Sequence, residues 1–213
     1  MQYIQLKQAF KDFTVFSLRD IRSVDNGFHR RRLSEWQEKG YIRKVINGYY
    51  VFTDLDIKED ELFEIANRIY SPSYVSLQTA LAYHRLIPET VYAVTSVSTR
   101  RTRTFSTGLG DFDYRTVQPA FFCGYQLKRG RSGTFKIASP VKALLDYLYL
   151  HPGIKTADDL RSLRLDGEVF FELIGEDDLA GALDRFGKKG LAARAMKLRG
   201  LLEAEGRGEG KHA

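Results

Sequence analysis

The chain has 213 residues, of which 43% are apolar and 28% charged, with a formal net charge of +6 and one cysteine. That balance excludes global disorder and suits one large or two small domains. The lone Cys123 excludes an internal disulfide framework and a four-cysteine zinc site. No apolar run approaches the ~18 residues of a membrane-spanning helix, and residues 1–7 lack the basic head and apolar stretch of a signal peptide. A cytoplasmic protein without a membrane partner is expected.

Leu6, Ala9, Phe10 and Phe13 recur at helical spacing and predict a first amphipathic helix. After an extended piece at residues 14–16, Ser17 and Asp20 have the spacing of a capping box, and Leu18, Ile21 and Val24 would be the buried stripe of a second helix. Asp25-Asn26-Gly27 reads as a turn. A third helix is predicted over residues 28–39, ending at Gly40. Leu33 and Trp36 share its inner face, with Phe28 and His29 close by; Arg31, Ser34, Glu35 and Glu38 point away, and Arg30 and Arg32 lie on the flanks. Two β-rich runs then flank Asn47-Gly48, which predicts a hairpin with a type I′ turn.

Helix, helix, turn, helix, hairpin is the order of a winged helix-turn-helix, here residues 1–54. On that reading the third helix enters the major groove of double-stranded DNA and the hairpin is the wing. Arg31 is the expected base contact, since a guanidinium binds guanine bidentately. Arg30 and Arg32 suit phosphates on either side, and Ser34 suits a base or a phosphate. Arg43 and Lys44 alternate along the wing, so one of them is expected to grip phosphate. A solvated basic helix face is the plainer alternative.

Residues 55–70 read as a linking helix. Residues 71–202 read as an α/β domain, with strands near 91–99, 105–117, 120–127 and 134–138, a helix opened by Ser139-Pro140, and helical character from Thr156. Residues 203–213 read as a flexible tail. The expected fold class is therefore α+β or α/β: an N-terminal winged helix-turn-helix, a mixed α/β domain and a helical C-terminal part.

Arg100, Arg101 and Arg103 form a second basic strand. Alternation puts Arg101 and Arg103 on one face, and Arg115 is expected to join them from the facing arm. Lys128, Arg129 and Arg131, beside Gly130 and Gly133, read as a flexible basic loop. Either group serves as a second basic surface for phosphate or an acidic partner, or is simply solvated. Asp111 and Asp113, with Lys136 or Lys142, have the loose pattern of a metal-dependent nuclease, although a surface hairpin explains the two aspartates more simply. The four histidines (His29, His84, His151, His212) lack paired ligand spacing, and no phosphate-binding glycine loop or nucleophile elbow occurs. No catalytic residue, metal or cofactor is expected.

Three stretches carry a family likeness. They are Tyr41-Ile42-Arg43-Lys44 with Asn47-Gly48-Tyr49-Tyr50; Ser71-Pro72-Ser73-Tyr74-Val75-Ser76-Leu77-Gln78-Thr79-Ala80-Leu81 running on to Leu86-Ile87-Pro88-Glu89; and Val94-Thr95-Ser96-Val97-Ser98-Thr99-Arg100-Arg101-Thr102-Arg103 with Ala138-Ser139-Pro140-Val141-Lys142-Ala143-Leu144-Leu145-Asp146. Over about two thirds of the chain these strings resemble the AbiEi-type antitoxins, the regulator half of type IV abortive-infection toxin–antitoxin pairs. The resemblance implies a winged helix that represses its own promoter and a C-terminal domain that counters a nucleotidyltransferase-like toxin, with no stable complex required. A stand-alone regulator with a ligand-sensing or oligomerising α/β domain is the alternative.

Overall fold

The computed structural model describes residues 1–89, 92–131 and 133–209. Its first part comprises α1 (Tyr3–Ala9), β1 (Phe16–Ser17), α2 (Leu18–Val24), α3 (Arg31–Glu38), β2 (Ile42–Ile46) and β3 (Tyr49–Phe52). The strands form an antiparallel sheet in the order β1-β3-β2. Leu6 of α1, Ile21 of α2, Leu33 and Trp36 of α3, and Phe16 and Phe52 of the sheet close one core.

The local chemistry explains where each helix starts. Ser17 Oγ accepts from the Asp20 amide at 3.2 Å while the Asp20 carboxylate accepts from the Ser17 amide at 2.8 Å, a reciprocal cap for α2. Val24 departs from its expected place in the buried stripe and is 59% exposed. With only two turns, α2 buries Ile21 and half-buries Leu18. The next helix begins at Arg31 rather than near residue 28. The Asp25 carbonyl first accepts from the Phe28 amide at 3.0 Å, and the Phe28 ring packs 5.4 Å from Trp36. That tight turn leaves His29 exposed instead of in the core.

The hairpin forms around Asn47-Gly48, but not as a type I′ turn. Gly48 takes φ +87° while Asn47 has no positive φ. The register shifts between Lys44 and Ile46 instead, and the resulting bulge supplies twist that a type I′ turn would have given.

The second part contains α4 (Glu59–Ile69), β4 (Ser73–Val75), α5 (Leu77–Tyr83), β5 (Val94–Ser98), β6 (Arg103–Thr107), β7 (Gly110–Thr116), β8 (Tyr125–Arg129), β9 (Thr134–Ala138) and α6 (Pro140–Leu150). Four more helices follow: α7 (Ala157–Arg161), α8 (Gly167–Leu173), α9 (Glu176–Phe186) and α10 (Lys189–Glu209). The six strands make one mixed sheet in the order β6-β7-β5-β4-β9-β8. β5–β7 and β4–β9 are parallel, and the other pairs antiparallel. With ten α-helices and two sheets among the described residues, the fold is mixed α/β.

Alternate residues of β4 face two different layers. Ser73 Oγ donates to the Ala66 carbonyl in α4, whereas Tyr74 Oη and Ser76 Oγ each donate to Asp146 of α6 at 2.8 Å. Helix α4 thus covers one face of the sheet and α6 the other, with α5 packed on α6.

Helix α4 is a brace rather than a linker. Thr14 Oγ1 donates to its Glu64 at 2.6 Å, and its Arg68 pairs with Asp20 of α2 at 2.9 Å. Val45 and Val51 of the hairpin are buried in the same core as the six-stranded sheet, so packing continues across the boundary expected at residue 54. Two expectations further along are corrected. Residues 120–124, expected in a strand with 125–127, are not in it: Ala120 and Phe121 belong to a 3-10 turn begun by Pro119, and β8 starts only at Tyr125. Residues 203–209, expected as flexible tail, extend α10, held by burial of Leu202 and a 3.0 Å bond from Arg161 to Glu205; the remaining tail, 210–213, lies outside the described residues. No helix among the described residues is long and apolar enough to cross a membrane.

Candidate nucleic-acid interface

Leu33 and Trp36 anchor α3 at 1% and 6% exposure, which fixes the outward direction of everything a half-turn away. The Arg31 side chain is 89% exposed, with its Nε 3.6 Å from Glu35 Oε1. Arg30, Ser34, Glu35 and Glu38 are exposed as well. Arg32 is half-buried, and one nitrogen of its guanidinium donates to the Met1 carbonyl at the start of α1, so it is less free than Arg31.

On the hairpin, Arg43 lies opposite Val51 and Lys44 opposite Tyr50. Cross-strand partners share a face, so Lys44 looks to the side of the three helices and Arg43 to the side of α4. Both are exposed. Sequence reasoning missed Arg19 and Arg22, which lie one turn apart on the exposed side of α2, the helix just before α3. Their spacing off the Leu18–Ile21 stripe was the available signal.

A second cationic feature is built at residues 99–103. The Arg100 guanidinium lies 4.2 Å from the Tyr70 ring centroid and donates to the Ser71 carbonyl at 3.2 Å. Tyr70 Oη donates to the Arg101 carbonyl at 2.7 Å, and Thr116 Oγ1 to the Arg100 carbonyl at 2.7 Å. Arg103 lies 4.6 Å from the Phe105 ring. Together Tyr70 and residues 99–103 line an open depression of about 700 Å³. The ion pairs among the described residues include none of Arg100, Arg101 and Arg103. Strand β6, which follows this arch, approaches β2 of the hairpin.

The rest of the expected second surface is dispersed. Arg103 pairs across the ladder with Tyr114, and Arg115 with Val97, so Arg115 emerges on the opposite face of the sheet from Arg103. A one-residue offset is enough to do this. Lys128 and Arg129 belong to strand β8 rather than a flexible loop, and β8 is the far edge of the sheet from β6. Five strand spacings separate the two edges, roughly 24 Å. Arg131 is paired with Asp56 at 3.4 Å and Glu61 at 3.9 Å, near the acidic start of α4.

The nuclease pattern is dispersed by the same strand order. Asp113 on β7 accepts from Thr104, while Lys136 lies on β9 with β5 and β4 between them. Lys142 is buried against Asp146; burial pushes the Asp146 carboxyl above the usual range, opposed by Lys142 and by bonds from Tyr74 and Ser76. Among the described residues no group of three or more His, Cys, Asp and Glu side chains is placed to hold a metal ion. Away from the cationic surfaces, a cavity of about 480 Å³ opens between α5, β5 and α6, lined by Gln78, Leu81, Thr95, Tyr147 and Leu163 among others.

No protein family matches the chain, and no curated protein sequence matches it.

Proposed function

We propose that the chain is a DNA-binding transcriptional regulator. In this reading residues 1–54 form a winged helix-turn-helix, α2 and α3 being the helix pair and β2–β3 the wing. The observation that carries the proposal is the exposure of Arg31 at the first helical position of α3, while Leu33 and Trp36 hold the opposite face. The N-terminal residues of a recognition helix are those that reach base edges in the major groove. Arg30, Arg19, Arg22 and Lys44 surround that helix as phosphate contacts, and the arch at 99–103 extends the cationic surface beyond the wing.

The sequence likeness adds a biological setting: a cytoplasmic AbiEi-type antitoxin, without enzymatic activity, that represses its own promoter and counters a nucleotidyltransferase-like toxin. The test is a mobility-shift titration on the DNA upstream of its own gene. Arg31→Ala is expected to weaken specific binding by roughly 1–3 kcal/mol and relax preference at one base pair. Unchanged affinity for every site would remove α3 from the interface. The 480 Å³ cavity favours a second reading, a stand-alone regulator whose α/β domain senses a small ligand. A nucleotidyltransferase-like gene next door supports the antitoxin over that reading.

A further inference from the structure

The charges of α3 run against its own dipole. Arg30, Arg31 and Arg32 crowd the amino-terminal end, where free amides favour carboxylates. Glu35 and Glu38 occupy the carboxyl-terminal end, where cations are favoured. No acid lies in the first turn and no base in the last, Lys39 standing only at the cap. The Arg31–Glu35 pair, at 3.6 Å, has the base ahead of the acid, the weaker order for an i,i+4 pair. Helix stability does not account for this pattern.

Gripping phosphate accounts for the arginines but not for the two glutamates. Exposed Arg30 at the cap and half-buried Arg32 add positive charge at the amino-terminal end, while the exposed side chains within α3, Arg31, Ser34, Glu35 and Glu38, carry one positive and two negative charges. Two carboxylates facing a polyanion repel it. In the major groove, however, a carboxylate is accommodated where it accepts from the cytosine amine, and a guanidinium binds O6 and N7 of guanine.

Resting on the reading of α3 as a recognition helix, we propose that its outward face is a charge filter for G·C-containing duplex DNA. Arg31, oriented by Glu35, takes a guanine. Glu35 and Glu38 admit a duplex that presents a cytosine amine beside that guanine and repel one that does not. Affinity independent of sequence then comes from outside this face, from Arg30, Arg19, Arg22, Lys44 and the 99–103 arch.

The experiment offers the full chain a pool of random duplexes, sequences the bound fraction, and measures affinity for the recovered site and for an A·T-only duplex. The recovered site is expected to hold G·C pairs at two neighbouring positions. Glu35→Gln combined with Glu38→Gln should bind the A·T-only duplex more tightly, lower the ratio of site to non-site affinity by about 5- to 150-fold, and shift one recovered position towards adenine, the base glutamine reads. Both glutamates are exposed, so far-ultraviolet circular dichroism of the variant should match the parent. A ratio held within about twofold, with no shift in the recovered bases, overturns the filter and leaves DNA binding intact. A parent chain that binds no duplex overturns the recognition-helix reading and the filter with it.

Discussion

Burial decides the chemistry of His84. Its Nε2 lies 2.8 Å from the Ala138 carbonyl. Desolvation holds its pKa below the ordinary 6.5, the carbonyl opposing and Lys128 adding to the effect. The unfolded imidazole therefore binds a proton more readily than the folded one. Its contribution to stability is whole above the unfolded value and is lost as pH falls through the folded one. Between about pH 7.5 and about pH 5.5 the melting temperature should fall, and His84→Gln should flatten part of that fall. Equal slopes in the two proteins would acquit His84. Nothing in the sequence marks this residue as different from His29, which is exposed. Burial of the Lys142–Asp146 pair is hidden in the same way: the i,i+4 spacing is readable, but its 4% and 0% exposure comes from residues distant in sequence, including Tyr74 and Phe186.

At the scale of elements, local chemistry was legible and strand order was not. Asn47-Gly48 located the hairpin, and Ser17 with Asp20 located the start of α2, because turns and caps are set by a few neighbouring residues. The bulge near Val45 was not legible, since Val45 and Val51 are pulled into the core of the other sheet. Gly48 remains the hinge of the hairpin at φ +87°. A Cβ placed there meets no atom within 4 Å, so Gly48→Ala strains the backbone alone. The expected loss is about 1 kcal/mol, read from urea unfolding. A neutral effect would mean the loop relaxes freely. The basic clusters make the converse point. Each was visible as a run of Lys and Arg, but their grouping depends on the order β6-β7-β5-β4-β9-β8. That order places Arg103 and Arg129 on opposite edges of the sheet, while the register that sets Arg103 opposite Tyr114 turns Arg115 to the other face.

For the whole molecule, the question is whether the N-terminal part stands alone. Composition and pattern suggested a boundary at residue 54, and the element order on either side of it is distinct. The packing argues against independence. Val45 and Val51 are buried at 6% and 0% in the core of the larger part. Thr14 and Asp20 are bonded to Glu64 and Arg68 of α4, whose buried face, including Ile65 and Ala66, closes the six-stranded sheet. Separating the parts would expose both valines to water, at roughly 1.5–3 kcal/mol for each fully buried side chain, and would strip α2 of a partner. Cooperative unfolding follows. Trp36, the chain's single tryptophan, sits in the N-terminal core at 6% exposure, so its fluorescence reports that part alone, while far-ultraviolet circular dichroism reports every helix. The two thermal midpoints should coincide. A tryptophan transition several degrees below the other would mean that the N-terminal part opens by itself, uncoupling Arg31 from the 99–103 arch. Coincident transitions hold them in one fixed frame, so that on the proposed reading a duplex seated on α3 would meet the β2–β3 hairpin and the arch in a set geometry.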